Sequence, residues 1–177
     1  MGGKAHGGRR INREDVPALM EHIVMGLHLN RTCRSIWLCG SYRRGSSSSG
    51  DLDIVVIPGF DDGSLHSTRP PEVPFDDWCI QHFGLQKNGK KPARTGLIDG
   101  VQVELYVATP ENHGTFVQMW TGSVKENVRL RKLALKKGYS MSQYGFRHKK
   151  TGDLVQCATE QEVYDFLGTP FVAPENR

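Results

Sequence analysis

The chain has 177 residues, 37% of them hydrophobic and 24% charged, with a formal net charge of +4. No apolar run approaches the roughly 20 residues of a membrane-spanning helix, and Met1–Arg10 has no apolar centre, so a secretory signal and a membrane partner are both excluded as expectations. What remains is a soluble, intracellular protein of one domain or two small lobes sharing a core, expected to act as a monomer.

Residues 1–10 read as a flexible basic leader, and His6 stands where a myristoylation motif wants Ser or Thr. Over 13–29, Val16, Leu19, Met20, Ile23 and Leu27 form one apolar stripe, which predicts a helix capped by Asn12 or Asp15. Ser35–Cys39 predicts a short buried strand stopped by Gly40, and Asp51–Ile57 a second ended by Pro58-Gly59. Residues 58–74 read as a surface loop and Asp76–Phe83 as a short helix.

Asn88-Gly89 and Asp99-Gly100 are turn signals, the second joining two apolar segments as a hairpin. In the strand 101–107, Val101, Val103, Leu105 and Val107 share one face, and Gln102, Glu104 and Tyr106 the other. Thr109-Pro110-Glu111 predicts a helix starting at Pro110 and running to about Trp120. Ser123–Glu126 is a capping box for a further helix closed by Gly138. Strands around Tyr144–Phe146 and Leu154–Gln156 flank a turn at Lys149–Asp153, and Thr159–Glu162 caps a last short helix ending at Gly168.

Cys33, Cys39, Cys79 and Cys157 lack Cys-x-x-Cys spacing and read as small buried hydrophobes in a reducing compartment. The histidines lack ligand spacing and read as surface or helix positions; Trp37 and Trp78 read as core. Charge is concentrated toward the end of the chain. From Ser123 to Lys150 there are nine Lys and Arg against one acid, Glu126, which points to a polyanion partner.

The residues that carry chemistry are Gly40-Ser41 and, after nine intervening residues, Asp51-Leu52-Asp53. Glycine lets the backbone approach a ligand closely, and the amides and hydroxyl at a helix start suit a phosphate. Arg44 adds a planar bidentate contact. Asp51 and Asp53, two apart on a strand, project their carboxylates from one face. Beside a phosphate cradle they suit Mg²⁺, with Glu104 on a neighbouring strand as the third carboxylate. Two such ions would activate a 3′-hydroxyl and stabilise departing pyrophosphate.

Gly40-Ser41-Tyr42-Arg43-Arg44-Gly45 followed by Ser48-Ser49-Gly50-Asp51-Leu52-Asp53 closely resembles the palm signature of the family X, or beta-type, DNA polymerases. The resemblance implies that Gly40, Ser41, Arg44, Ser49 and Gly50 hold an incoming triphosphate, and that Asp51, Asp53 and Glu104 hold the metals. Met119–Ser123 resembles the family's Tyr-Phe-Thr-Gly-Ser turn under the nucleotide sugar, which places Trp120 and Gly122 at the nucleotide. Asn127 and Arg131 match a minor-groove asparagine and a template-contacting arginine, and as i and i+4 they share a helix face. Lys125, Arg129 and Lys132 on the same helix are the other expected DNA contacts. The similarity spans about residues 11–177.

Three features depart from the pattern. Glu104 stands where Asp is usual, Met119-Trp120 replaces an aromatic pair, and the chain resembles the compact viral forms that lack the lyase domain.

The expected fold is α+β: a nucleotidyltransferase-type palm over 11–120, with a mixed sheet and flanking helices, plus a small C-terminal α+β subdomain over 121–177. The expected activity is distributive, DNA-directed addition of dNMP from dNTP to a primer 3′-end, in short-gap repair, with two Mg²⁺ ions that Mn²⁺ can replace. A template-independent or small-molecule nucleotidyltransferase, and a catalytically weak DNA-binding module, are the two alternatives.

Overall fold

The computed structural model describes residues 8–29, 32–59, 73–87 and 93–177. Most of the loop expected over 58–74, the Asn88-Gly89 turn and residues 1–7 lie outside them.

The chain enters as a two-residue strand, β1 (Ile11–Asn12), and a single 3-10 turn at Arg13–Asp15, then forms helix α1 (Val16–Leu29). The α-helix therefore begins with the first residue of the apolar stripe, three residues after the expected start at 13, and Asn12 makes no side-chain cap bond. Its stripe, Val16, Leu19, Ile23 and Leu27, is buried against the main sheet.

That sheet has five strands in the order β2-β4-β7-β6-β5. They are β2 (Cys33–Leu38), β4 (Asp51–Pro58), β5 (Gln86–Lys87), β6 (Ala93–Ile98) and β7 (Val101–Val107). Strand β2 starts two residues before the expected strand 35–39, and Cys39 falls outside it. β4 and β7 pair in parallel and every other neighbouring pair is antiparallel. The β6–β7 hairpin turns at Asp99-Gly100, both with positive φ, as an Asp-Gly turn demands. One sheet face carries Leu52, Ile54, Val56, Val101, Val103 and Leu105 into the core with α1 and helix α3 (Phe75–Phe83). The other packs Val55 and Tyr106 against Phe116 and Val117 of helix α4 (His113–Thr121).

Helix α4 corrects one expectation. Residues 110–112 form a turn, and the helix begins at His113 after Asn112, whose side-chain oxygen accepts from the Thr109 amide at 2.9 Å. An Asn that closes its own turn competes with helix continuation backwards to Pro110.

A second core gathers Leu130, Ala134, Met141, Phe146, Val163, Tyr164 and Leu167. These come from helix α5 (Val124–Lys136), the three-stranded sheet of β8 (Tyr139–Ser142), β9 (Gly145–His148) and β10 (Leu154–Val155), and helix α6 (Glu160–Leu167). Ser123 and Thr159 accept hydrogen bonds from the amides three residues on, as their capping boxes predict. Gly114 joins the two cores: a Cβ placed there would lie 2.3 Å from the Thr159 backbone, so α4 can approach the start of α6 this closely only with glycine at 114. All four cysteines are buried, as expected of small hydrophobes. Trp37 and Trp78 are half-buried at the edges of their clusters rather than enclosed in them.

Candidate active site

Strand β2 runs out at Cys39 and the chain makes one helical turn, α2 (Gly40–Arg43). Gly40 has φ +63°, and a Cβ on it would meet Asp53 Oδ2 at 2.4 Å. Only glycine lets the backbone pass this close to that carboxylate. Ser41 and Ser49 then share a hydroxyl–hydroxyl hydrogen bond of 2.8 Å, bringing the two ends of the loop together. Ser48 and Ser49 form β3, which pairs antiparallel with β1. The cradle expected from Gly40, Ser41, Arg44, Ser49 and Gly50 is thus one continuous loop leading straight into Asp51.

The parallel register of β4 and β7 sets Asp51 opposite Gln102 and Asp53 opposite Glu104. The three carboxylates therefore occupy the same face of adjacent strands. Asp51 is exposed, whereas Asp53 and Glu104 are half-buried. Burial, reinforced by the negative charges of Asp51 and Glu104, pushes the Asp53 carboxyl up to about 7. Tyr106, on the same face of β7, donates its hydroxyl to Glu104 Oε2. That hydroxyl also lies within hydrogen-bonding reach of Asp53. Gln102 donates from Nε2 to Glu104 Oε1 at 3.1 Å. Among the described residues no three His, Cys, Asp or Glu side chains already converge as a metal cage. An oxygen-only donor set under mutual repulsion, with Asp53 raised, is nonetheless the environment a divalent cation would relieve, so the residues fit a hard metal ion.

Across from these carboxylates, Thr121-Gly122 ends α4. Arg44 donates to the Thr121 carbonyl through Nη1, and Arg43 to Thr121 Oγ1 at 2.7 Å. Gly122 has φ +71° and precedes a cis peptide bond to Ser123. The Trp120 ring stacks on Tyr106 with centroids 3.6 Å apart and planes 15° from parallel.

A family model for the DNA polymerase beta palm matches residues 10–70, and one for the DNA polymerase beta thumb matches residues 116–177. The chain belongs to the family X DNA polymerases.

Among curated members of family X, it is 26% identical over 168 residues to the DNA polymerase/3′-5′ exonuclease PolX of Bacillus subtilis, a match covering 95% of this chain and 27% of that protein. It is 29% identical over 170 residues to DNA polymerase lambda of Arabidopsis thaliana, covering 78% of this chain and 31% of that one. Against Repair DNA polymerase X of African swine fever virus (isolate Warthog/Namibia/Wart80/1980) identity is 25% over 147 residues, covering 81% of this chain and 82% of the viral protein. The chain thus spans about a third or less of the length of the first two relatives. The fold matches the crystal structure of Leishmania infantum polymerase beta, a ternary P/T complex, with a TM-score of 0.70 and 22% identity, covering 96% of this chain and 77% of that one.

On the C-terminal side, the residues singled out from the sequence divide. Asn127 faces α4: its Nδ2 donates to the Met119 carbonyl at 2.8 Å and its Oδ1 accepts from Gln118 at 3.0 Å. Arg131 is exposed and reaches Met119 Sδ at 3.8 Å. Lys125 and Lys132 are exposed beside a groove of about 610 Å³ between α5 and the segment 172–177. Arg129 behaves differently. It grips Glu126 with two hydrogen bonds of 2.8 Å and donates to Thr169 at 3.0 Å, so its guanidinium is committed within the lobe.

Several residues at the site went unnoticed in the sequence. Arg10, assigned to a flexible leader, donates to Ser48 Oγ at 2.9 Å and lies 3.6 Å from the place a Gly50 Cβ would take. Arg9 is likewise held, by Asp99 and Gly100. Arg13 donates to the Tyr42 carbonyl at 2.7 Å and its guanidinium covers the Tyr42 ring. The signal available was Ile11, one apolar residue amid charges, which is buried and fastens this strap. Arg43 reaches Glu160 at 2.5 Å, and Arg177 meets the other oxygen of Glu160 at 2.8 Å. No spacing in the sequence announces a contact across that distance.

Proposed function

We propose that the chain is a DNA-directed DNA polymerase that adds dNMP from dNTP to a primer 3′-hydroxyl, acting as a monomer with Mg²⁺. The observation that carries this reading is the register of β4 on β7, which puts Asp53 beside Glu104 and directly after the Ser41–Ser49 cradle. The membership in family X and the presence of a short viral repair polymerase among the relatives support the same reading.

In this proposal Gly40, Ser41, Arg44, Ser49 and Gly50 hold the triphosphate, with Arg10 adding charge at the loop. Trp120, Gly122 and Asn127 bound the nucleotide, while Lys125, Arg131 and Lys132 meet DNA phosphates or bases. Bound divalent cations would favour the ionised 3′-oxygen and neutralise charge on the leaving pyrophosphate. Asp51, Asp53 and Glu104 hold the charge pattern that attracts those cations, and a carboxylate takes the hydroxyl proton as the 3′-oxygen attacks the α-phosphorus. Residues 11–120 would act as the palm and 121–177 as the lobe that closes on nucleotide and template.

Primer extension on gapped and ungapped duplexes tests this. Wild type should extend a primer with Mg²⁺ or Mn²⁺, and Asp53→Ala should lose about 10³-fold or more. Wild type without extension, or full activity in Asp53→Ala, ends the proposal. Extension of single-stranded primer equal to that of matched primer–template would favour the template-independent alternative. DNA affinity should fall about tenfold or more between 50 and 200 mM salt, since phosphate contacts release counterions.

A further inference from the structure

Glu104 sits at its position with three side-chain torsions to fix, and a carboxylate on so long an arm loses rotamer entropy when held in one place. The structure shows how that freedom is removed. On the polar face of β7, positions 102, 104 and 106 stand in line, because side chains two apart on a strand share a face. Gln102 occupies one Glu104 oxygen and the Tyr106 hydroxyl the other. Tyr106 is itself 3% exposed and pressed flat on the Trp120 ring, so its hydroxyl has little room to wander. Trp120 belongs to the end of α4, immediately before Thr121-Gly122. A line of contacts thus runs from the turn at the nucleotide, through two stacked rings, to the third carboxylate.

We propose that Tyr106 is a positioning residue for Glu104: braced by Trp120, its hydroxyl holds the glutamate on the Asp53 side of the strand pair, ready to share a divalent cation. This rests on the reading of Asp51, Asp53 and Glu104 as the metal-binding carboxylates. Partners of this kind orient a ligand, and their removal typically costs metal affinity about 10–100-fold.

Tyr106→Phe is the informative variant, because it keeps the ring, its burial and the stack while deleting one hydroxyl. Mn²⁺ affinity is measured on the full chain, without turnover, from the electron paramagnetic resonance signal of free Mn²⁺. Tyr106→Phe should bind Mn²⁺ about tenfold more weakly. The same change added to Glu104→Gln, or to Glu104→Asp whose shorter arm misses the hydroxyl, should weaken binding less than about twofold, since contacting residues are coupled.

Tyr106→Phe binding within twofold of wild type, binding more tightly, or losing as much affinity in the Glu104 variants overturns the proposal. If Tyr106→Phe fails to fold, Trp120→Leu replaces it: an intermediate loss that vanishes in Glu104→Gln supports the brace, and an unchanged affinity overturns it. A wild type that takes up no Mn²⁺ would instead defeat the functional reading beneath. A wild type that binds Mn²⁺ with no effect of Tyr106→Phe defeats this inference alone.

Discussion

Two glutamates in this molecule each accept a hydrogen bond from a buried tyrosine, and their surroundings diverge from there. In the C-terminal lobe, Glu126 takes the Tyr164 hydroxyl at 3.0 Å and both prongs of Arg129. The Arg129 hydrogen bonds hold its carboxyl below the usual glutamate range. At the strand pair, Glu104 takes the Tyr106 hydroxyl but stands beside Asp53, whose carboxyl is pushed up to about 7 by burial and by its acidic neighbours. One network is electrostatically complete and holds a lobe together. The other is left repulsive within the protein, a charge that a bound divalent cation would relieve. Tyr–Glu pairs look alike in a sequence; the third partner separates a structural group from a site.

The largest effect should come from breaking the complete network. Glu126→Ala leaves the buried Tyr164 hydroxyl unpaired and removes both bonds from Arg129, and should cost about 3 kcal/mol, read as a melting temperature lower by about 6–12 °C. A fall of under 2 °C would mean that Glu126 is no more structural than Glu104.

The seam between the regions comes next. Gly114→Ala drives a methyl into the Thr159 backbone and should destabilise by about 1–3 kcal/mol. Denaturant unfolding of this variant measures it, and no change would show that α4 and α6 are free to part.

Asp53 should behave in the opposite sense to Glu126. In the folded, metal-free protein it keeps its proton up to about pH 7, whereas an unfolded aspartate releases it near 3.8. The folded state therefore binds the extra proton in that window, and stability is greatest at its acid end. It is lost as pH rises through 7, since the ionised form is penalised by burial. Melting scans without metal should decline from pH 5 to 8, Mn²⁺ should restore the loss, and Asp53→Asn should flatten the profile and gain on the order of 1 kcal/mol at pH 8. Glu126, with its lowered carboxyl, supplies stability above its unfolded value that disappears only as pH falls. A metal-free profile flat between pH 5 and 8 would erase the contrast.

The smallest effect sharpens the baseline. Thr159→Ala removes the α6 cap and should cost about 0.5–1 kcal/mol by denaturant titration, regardless of metal. A metal-dependent cost there would tie the cap to the carboxylates and blur the two regions.

Much of this arrangement is readable before any coordinates. Gly40-Ser41 and Asp51-Leu52-Asp53 fall where a strand meets a turn and where the next strand begins, and both signals are local. The Asp99-Gly100 hairpin and both caps are equally local, because turn and capping chemistry is decided within four residues. The strap of Arg9–Arg13 escapes notice because its strand is two residues long and its bonds reach residues far along the chain. Strand β8 escapes as well: Tyr139–Ser142 alternates with serines and borrows its apolar face from α5 and β9. Tyr106 was legible as a strand residue on the polar face, but not as the group that meets Glu104, since stacking on Trp120 depends on how α4 crosses the sheet.

That stack has an optical consequence. The indole of Trp120 lies against a phenol ring, and its buried Nε1 has no hydrogen-bond partner among the described residues. The other two tryptophans, Trp37 and Trp78, stack instead on His113 and His82. With Trp37 and Trp78 replaced by phenylalanine, the chain would carry a single tryptophan, next to Thr121-Gly122, that can be excited apart from its five tyrosines. Its emission would report on the Thr121-Gly122 turn in real time, with no dye attached.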